Sequence, residues 1–411
     1  MRIPPPTIAI PVLLASALAA PAVAQDPPPT NAAVEGLRQE NQELTSRVES
    51  LEDLVFGQDS QEEHLGLVAS YGDVLATFQI YGDTGVRSDS PSGAGMGNTS
   101  FAFGAVDFFA TASLGERFQV LSETAISASG QDTKLSQERL WGAWTFGDEL
   151  YAKLGVEHNS LSRWNRTSHH GAWLEPTIER PMLSRFEGEG GLLPLHNSGL
   201  ELGGQLETSL GRLNYTAALS NGRGETPTNK QRNFDANDGK AMDFSLSFAP
   251  ECWQALQVGS AVRYDSLPAN MASPIPARGL SMRQFIVSAF AEYQEGGLQL
   301  LSEFAYISDE ARLNGANFPH NTGYLQAGYT VGDVTPYLRV DYRDMRMGDP
   351  FYSPFDRDLN AWIQTTGVRF ELAPNAALKL EVNMGNEQLR GAGGVTRGDF
   401  VSVAAQLAFV I

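Results

Sequence analysis

Two stretches, LRVDYR at 338–343 and LKLEVNM at 378–384, decide the fold class, because in both an apolar residue alternates with a polar or charged one. A β-strand points successive side chains to opposite faces, so each stretch predicts a strand with one apolar and one polar face. The same period of two recurs at 200–207 and 242–248. The sequence therefore predicts an all-β protein.

Outward from these stretches, the alternation runs from Val74 to Ile411 and divides into about 16 strands. The predicted strands are 74–88, 100–113, 117–129, 136–146, 149–157, 198–207, 212–220, 241–249, 254–265, 282–293, 298–307, 322–331, 334–343, 360–372, 376–385 and 399–411. Tight turns alternate with longer loops, at 89–99, 158–197, 221–240, 266–281, 344–359 and 386–398. Short connections on one rim and long ones on the other are typical of a transmembrane antiparallel β-barrel, which is the expected fold.

The alternation alone does not say which face of the strands points outward. Many strands are long enough for a tilted membrane strand, and aromatic residues lie close to the tight turns, as in the girdle at a membrane interface. These aromatic residues are Phe118, Phe146, Tyr151, Phe248, Trp253, Tyr293, Tyr329, Tyr337 and Phe370. We therefore expect the apolar face to contact outer-membrane lipid; a secreted soluble β-protein, with that face buried, is the alternative.

The composition excludes several classes of protein. The 411 residues include 48 Asp and Glu against 29 Lys and Arg, a formal charge of −19, so no nucleic-acid partner is expected. Beyond the N-terminus no run reaches the ~18 apolar residues of a membrane-spanning helix. Cys252 is the single cysteine, which excludes an intramolecular disulfide and a site built of several thiolates.

The N-terminus has the features of an export signal. Arg2 precedes an apolar stretch at 8–20, and Ala22-Val23-Ala24 forms a small-residue cleavage site. This order predicts a signal peptide over 1–24. We expect export to the outer membrane of a Gram-negative-type bacterium.

A different period follows in 25–57, where a Pro-rich spacer precedes a heptad seam. The seam residues are Val34, Leu37, Asn41, Leu44, Val48, Leu51 and Val55. They predict a periplasmic coiled coil, and hence self-association, with a polar Asn at an a position that fixes register. A trimer and a dimer both remain open, and an amphipathic helix lying on its own domain is the alternative. A linker at 58–73 and the barrel at 74–411 complete the predicted organisation.

The polar faces of the strands are expected to line the barrel. Their basic residues are Arg139, Lys153, Arg263, Arg283, Arg339, Arg343, Arg369 and Lys379. Their acidic residues are Glu123, Glu157, Glu201, Glu207, Asp243, Asp265, Glu292, Glu303, Asp341, Glu371 and Glu381. Because a packed core would desolvate these charges at great cost, we expect a water-filled pore, and the acidic excess slightly favours cations.

The longest connection, 158–197, is predicted to fold inward as the pore constriction and to set selectivity. It contains His158, His169, His170 and His196, together with Arg163, Arg166, Arg180, Arg185, Glu175, Glu179, Glu187 and Glu189. The alternative is a solvated outer loop.

With heptads followed by this strand pattern, the chain resembles trimeric outer-membrane porins of the phosphate-selective porin O and P type and the related DcaP-like channels. The resemblance implies three barrels side by side, each with its own pore and an inward-folded third loop. It rests on architecture and assigns no binding residue. Phosphate-selective members carry many lumenal Arg and Lys, whereas here the acids are in excess.

Two rival functions remain. Ser160, Ser162, Ser168, His169, His170 and Glu175 offer the residue types of an outer-membrane hydrolase. Alternatively, the coiled coil tethers the barrel to peptidoglycan or a periplasmic protein. We expect a passive porin and no enzyme, and we assign no cofactor. No metal is assigned either, because the adjacent side chains at 169 and 170 would point in opposite directions in an extended segment.

Overall fold

The structure is a computed structural model that describes residues 67–71, 74–90, 99–129, 132–169, 171–232, 234–269, 281–352, 357–391 and 394–411. The described residues form β1 (Leu67–Tyr71), β2 (Val74–Ser90), β3 (Thr99–Leu114), β4 (Phe118–Ser129), β5 (Asp132–Gly147), β6 (Leu150–His158), β7 (His196–Thr208), β8 (Gly211–Ser220), β9 (Ala241–Pro250), β10 (Leu256–Leu267), β11 (Met282–Glu295), β12 (Leu298–Ala311), β13 (Asn317–Tyr329), β14 (Val334–Met345), β15 (Arg357–Ala373), β16 (Ala376–Gly391) and β17 (Gly394–Val410). One short helix, α1 (Arg163–Thr167), and 3-10 turns at Met182–Ser184, Glu187–Glu189 and Glu251–Trp253 complete the elements of these ranges.

Strands β2 to β17 form a closed antiparallel barrel of 16 strands, as predicted. Each strand pairs with its sequence neighbour, and β17 closes on β2, with Val401 opposite Ser90 and Val410 opposite Tyr81. This meander requires only hairpin connections, so no strand edge is left open around the ring.

Strand β1 lies within the segment predicted to be a linker. It pairs with the first part of β2, Leu67 opposite Phe78 and Tyr71 opposite Val74. Because β17 pairs only from Tyr81 onward, β1 covers the part of the β2 edge that β17 does not reach.

The exposure of alternate residues identifies the two faces of the barrel wall. On β9, Met242 and Phe244 are 54% and 48% exposed, whereas Asp243 between them is 4% exposed. On β14, Leu338 is 45% exposed and Arg339 only 1%. Apolar side chains therefore cover the exterior and charged ones point inward, as a barrel surrounded by lipid requires.

Two aromatic residues predicted for the girdle point inward instead. Tyr151 and Tyr337 are buried, and their hydroxyls donate to Glu201 Oε1 at 2.9 Å and Glu381 Oε2 at 3.0 Å. Tyr151 lies two residues before Lys153, and Tyr337 lies two residues before Arg339. Each tyrosine is therefore on the same strand face as a lumenal cation. Trp253, Tyr329 and Phe146 are exposed near tight turns, as predicted.

The prediction of a long loop at 386–398 is wrong. Strands β16 and β17 continue as a paired hairpin from Asn386 opposite Asp399 to Gly391 opposite Gly394. The period-two pattern weakens there, but backbone pairing continues past the end of the apolar alternation.

The signal peptide at 1–24, the coiled coil at 25–57 and most of the linker lie outside the described residues. In the part of the chain that the structure describes, no helix is both long and apolar enough to cross a membrane.

Candidate functional site

The connection between β6 and β7, here called L3 (residues 159–195), lies inside the barrel. Its two ends are held together, because Asn159 N donates to Leu195 O at 3.0 Å. The Asn165 side-chain amide also donates to Asn159 O at 3.2 Å and Leu195 O at 2.8 Å. L3 therefore leaves and rejoins the wall at one place, while its middle crosses the lumen.

An apolar cluster joins L3 to one side of the wall. Its members on L3 are Leu161, Trp164, Leu183, Leu192 and Leu193. On the inner faces of β11, β12 and β13 it includes Ile286, Ala305, Ile307 and Tyr324. Trp164 is fully buried, and its ring packs edge-on against the Tyr324 ring with the two ring centroids 6.3 Å apart. Burying large apolar side chains stabilises this docked position of the loop.

The helix α1 begins against a carboxylate from the wall. Ser162 caps it by accepting from Asn165 N at 3.2 Å, and Glu303 on β12 accepts from Arg163 N at 2.6 Å and Trp164 N at 2.9 Å. The first amides of a helix have no partner inside the helix, so an external acceptor is required. Glu303 thus fixes where L3 first touches the opposite wall.

Other wall carboxylates accept from further backbone amides of L3. Asp341 on β14 accepts from Met182 N at 2.8 Å. Glu381 on β16 accepts from Ile178 N at 2.8 Å and Glu179 N at 3.1 Å. These irregular loop amides need partners because they are shielded from water.

L3 also approaches β2 and β3 closely. Gly171 N donates to Asp107 Oδ2 at 3.1 Å. Gly171 has φ of +83°, and an added Cβ would lie 2.9 Å from the Tyr81 ring, so this turn requires glycine.

Cationic side chains on the wall donate hydrogen bonds to backbone carbonyl groups of the same loop. Lys379 Nζ donates to Glu175 O at 2.6 Å and Thr177 O at 3.2 Å. Arg369 Nη1 donates to Trp173 O at 2.6 Å, and Arg339 Nη2 to Arg180 O at 3.3 Å. Acids on the wall thus hold the amides of L3, and bases hold its carbonyls.

This arrangement corrects the expectation that the lumenal charges are solvated. Arg263 and Arg339 are each 1% exposed, and Lys379 is fully buried. Their desolvation is offset by ion pairs and by backbone hydrogen bonds, the condition under which buried charges are tolerated. The sequence argument counted charges but could not include the backbone groups that L3 brings to them.

The predicted site residues on the strands fall into two groups. Arg339, Asp341 and Arg369 contact L3 directly, as described above. Arg139 and Arg263 belong to the wall itself. Arg139 pairs with Glu123 and lies 3.6 Å from Glu157. Arg263 lies 2.8 Å from Asp243 and 3.1 Å from Asp265, and it donates to Asn197 Oδ1 at 2.8 Å.

The predicted site residues on L3 are also distributed. Arg163 Nε lies 2.8 Å from Glu292, and Arg166 Nη2 lies 3.2 Å from Glu201. Burial favours the neutral form of Arg166, but the Glu201 carboxylate outweighs this and raises its pKa. These two arginines hold α1 to β11 and β7.

The second half of L3 carries the more accessible charges. Glu179 is 26% exposed at its side chain and pairs with Arg87 of β2, and Arg185 is half-buried. Arg180 is buried over the Phe186 ring, 4.0 Å from Glu175, and this burial lowers its pKa. The face of L3 that includes Glu179 and Arg185 is the part best placed to meet a solute.

The serines proposed for a hydrolase take part in other hydrogen bonds. Ser162 Oγ lies 2.7 Å from Ser184 Oγ and caps α1. Ser160 Oγ accepts from Thr216 at 3.3 Å, and Ser168 lies 3.4 Å from Thr167. In these contacts the partner of each serine is another hydroxyl group, from Ser184, Thr216 or Thr167.

Sequence reasoning missed two clusters that could hold a metal ion, His158–His169–His196 and Asp309–His320–Asp349. The signal for the first was the position of His158 and His196 at the two ends of L3, since residues that close a hairpin face each other. The second joins β12 and β13 to the loop after β14, which no local pattern indicates.

The fold and the interior together define a porin-like β-barrel of the outer-membrane class. Its fold is similar to OmpT, an outer membrane protein of Vibrio cholerae, at 10% identity and a TM-score of 0.52 over 83% of this chain and 99% of that one. It is also similar to the outer membrane channel DcaP of Acinetobacter baumannii, at 9% identity and 0.53 over 84% and 99% of the two chains. Salmonella typhi OmpF, solved with daunomycin, matches at 11% identity and 0.53 over 84% and 100%.

No protein-family model matches the sequence, and no curated protein matches it. At these identities the similarity defines the fold alone. The function must therefore be argued from the interior of the barrel.

Proposed function

We propose that this protein is an outer-membrane porin that admits small hydrophilic solutes or ions by passive diffusion. The observation that carries the proposal is the path of L3, whose backbone is bound across the lumen by Glu303, Asp341 and Glu381 on three different strands. A loop that only covered the outer rim would not need partners on the inner wall. A fixed loop inside a 16-strand barrel narrows an otherwise wide aqueous lumen.

The solute would pass the accessible face of L3. That face presents Glu179 beside Arg87 and the half-buried Arg185. Opposite charges facing one passage favour small polar or zwitterionic solutes over large apolar ones. The slight acidic excess of the lining supports no phosphate preference, in contrast to the phosphate-selective porins.

The wider organisation belongs to the same proposal. The signal peptide would direct export, the coiled coil would lie in the periplasm, and its seam would hold three barrels together. A complex with peptidoglycan or a periplasmic protein would use that coiled coil. The similarity to a protein described as an outer membrane channel supports the channel function.

The test is a planar bilayer measurement on the refolded mature protein. We expect stable conductance steps in multiples of three, and a reversal potential under a salt gradient that gives the ion preference. Replacing 164–185 with a short Gly-Ser linker should raise the conductance of each step. A folded, heat-modifiable barrel that stays electrically silent would contradict the proposal, and hydrolysis of ester or peptide substrates by that silent barrel would favour the enzyme.

A further inference from the structure

Three histidines meet at the base of L3. His158 is the last residue of β6 and His196 the first of β7, and the two are direct partners across the strand pair. His169 returns to them just after α1, and its ring centroid lies 3.9 Å from that of His158 and 4.9 Å from that of His196. All three are buried, and one ring nitrogen of each lies within 4.8 Å of the others.

The neighbours of His169 determine which of its nitrogens carries the proton. Its Nδ1 lies 2.5 Å from Asn165 Oδ1. The Asn165 amide nitrogen donates to two backbone carbonyls, so its oxygen must be the atom that faces the ring. That oxygen can only accept, and it lies closer to Nδ1 than the donor Arg180 Nη2 does, which is 3.2 Å away. The shorter contact favours the proton on Nδ1 and the lone pair on Nε2.

His196 has a comparable neighbour. Its Nε2 lies 3.2 Å from Glu138 Oε2. A carboxylate beside one nitrogen favours the proton there and leaves the lone pair on Nδ1. Metal-binding imidazoles usually have this arrangement, with an oxygen acceptor on the nitrogen that does not bind the metal.

We propose that His158, His169 and His196 bind a divalent transition metal ion of the Zn²⁺ class. Three imidazole nitrogens suit Zn²⁺, Cu²⁺ or Ni²⁺, whereas Mg²⁺ and Ca²⁺ prefer oxygen ligands. Metal–nitrogen bonds of about 2.0–2.1 Å in a tetrahedral site place the nitrogens roughly 3.3 Å apart. The nitrogens now lie within 4.8 Å of one another, so metal binding requires them to approach by at most about 1.5 Å. Water would take the fourth position.

The surrounding charges are compatible with a bound cation. Arg180 Nη2 lies 3.2 Å from His169 Nδ1, and Glu175 lies 4.0 Å from Arg180 Nε. Arg166 Nη1 donates to His158 O at 3.0 Å and is itself paired with Glu201. Glu138 adds a second carboxylate, shared with Lys230 and Arg232. The ion would face neutral imidazoles, with Arg180 on the far side of one ring.

The cluster of Asp309, His320 and Asp349 is the natural comparison, and its tautomer is unsuitable. His320 Nδ1 accepts from Arg346 N at 3.1 Å, so the proton lies on Nε2, which is 2.7 Å from Asp349. Both nitrogens are thus committed to hydrogen bonds. His320 therefore provides a matched control: a buried histidine in the same barrel that should not bind the ion.

The consequence of metal binding follows from the positions of the ligands. His158 and His196 flank L3 and His169 belongs to it, so one ion would cross-link the start, the helix end and the exit of the loop. Metal binding would stabilise the docked loop by mass action. The site does not depend on the proposed channel function, because binding is measured without transport.

The experiment is Zn²⁺ titration of the refolded, chelator-treated mature protein by calorimetry, with metal counted by mass spectrometry. We expect one Zn²⁺ per chain, at least 100-fold weaker binding in His196→Gln, and unchanged binding in His320→Gln. Zn²⁺ should also raise the unfolding midpoint of the wild type, whereas Mg²⁺ should not. Co²⁺ should give the visible bands of a nitrogen-bound tetrahedral ion.

Two results would contradict the proposed metal site. The first is the absence of stoichiometric Zn²⁺ in a protein with normal heat-modifiable mobility. The second is an equal affinity for Zn²⁺ in the wild type and in folded His196→Gln. If His196→Gln does not fold, His169→Gln and the wild-type Zn²⁺ shift of the unfolding midpoint decide the question.

Discussion

Glu303 accepts from the backbone amide of Arg163, with Oε2 2.6 Å from the nitrogen, although the two residues lie far apart in sequence. The second oxygen of the same carboxylate accepts from Trp164 N at 2.9 Å and from the Tyr324 hydroxyl at 2.5 Å. One side chain on β12 therefore holds the start of α1 against the wall. L3 is positioned by the barrel and does not rely on its own short helix.

Glu303→Gln should loosen L3. The amide cannot accept on both atoms, so at least one backbone amide of α1 loses a charge-assisted partner. We expect a loss of about 1–3 kcal/mol in the free energy of unfolding, measured by urea titration in detergent. Trypsin should also cleave after Arg163 or Arg166 faster than in the wild type.

Glu310→Gln on the same strand is the control. Glu310 is 45% exposed at its side chain and lies 3.8 Å from Arg283, whose side chain is 51% exposed. Such a pair contributes little, so the change should be below about 0.5 kcal/mol. Equal effects of the two substitutions would contradict the capping role of Glu303.

Arg263→Met tests the buried charges that do not touch L3. It would leave Asp243 and Asp265 buried without the cation that now lies 2.8 and 3.1 Å away. Removing one partner of a buried pair typically costs about 3–5 kcal/mol. The temperature at which the barrel loses its compact gel mobility should therefore fall clearly.

Arg283→Met is the matched change at an exposed arginine, which is 51% exposed at its side chain. We expect its transition temperature to stay within the error of the wild type. Arg283 shares its strand face with the exposed Phe285 and not with the buried Gln284, so it points outward, and the expectation that it lines the barrel is wrong. A similar loss in both variants would indicate a general effect of removing an arginine from the barrel and would contradict the pairing argument for Arg263.

Strand number and order were predictable because they depend on local alternation. Met242, Asp243 and Phe244 already display the period of two, and the closed meander of the barrel follows from the hairpins between successive strands. The direction of the faces was predictable only with additional cues, such as the export signal. Tyr337 shows the limit: its parity with Arg339 placed it inward, and nearness to a turn was the weaker cue.

The interior was less predictable, because it depends on contacts between distant parts of the chain. Ile286 and Ile307 point inward, although the strand pattern predicts a polar lining. They belong to one apolar cluster with Leu183 and Leu192 of L3. Asp341 and Glu381 looked like pore-lining acids, yet they accept from loop amides. The sequence pattern shows which residues are charged, but it does not show which backbone groups these residues will contact in the fold.

Phe244→Arg tests the lipid-facing exterior. Phe244 is 48% exposed in the middle of β9. An arginine on the lipid face near the bilayer centre costs about 2–4 kcal/mol, so folding into vesicles should become less favourable by that amount. Phe234→Arg is the control, since Phe234 is 62% exposed outside the strands. A neutral result for Phe244→Arg would contradict a lipid-facing position of this side chain.

Glu381→Ala tests whether the anchoring of L3 controls the passage. Glu381 holds Ile178 N and Glu179 N, and it accepts from the Tyr337 hydroxyl, so its removal frees the part of L3 that carries the accessible Glu179. If L3 narrows the pore, single-channel conductance should rise and fluctuate more. The increase should be smaller than that caused by replacing 164–185, because Glu303 and Asp341 still hold the loop.

Glu207→Ala separates loop release from loss of lumenal charge. Glu207 is exposed near the tight-turn end of β7, where it accepts from Gln205 at 2.8 Å and does not touch the described part of L3. Its removal changes the charge of the lining equally but leaves the loop anchored. We therefore expect a shift in reversal potential at unchanged step size. Equal conductance increases in both variants would mean that charge, and not the position of L3, limits the current.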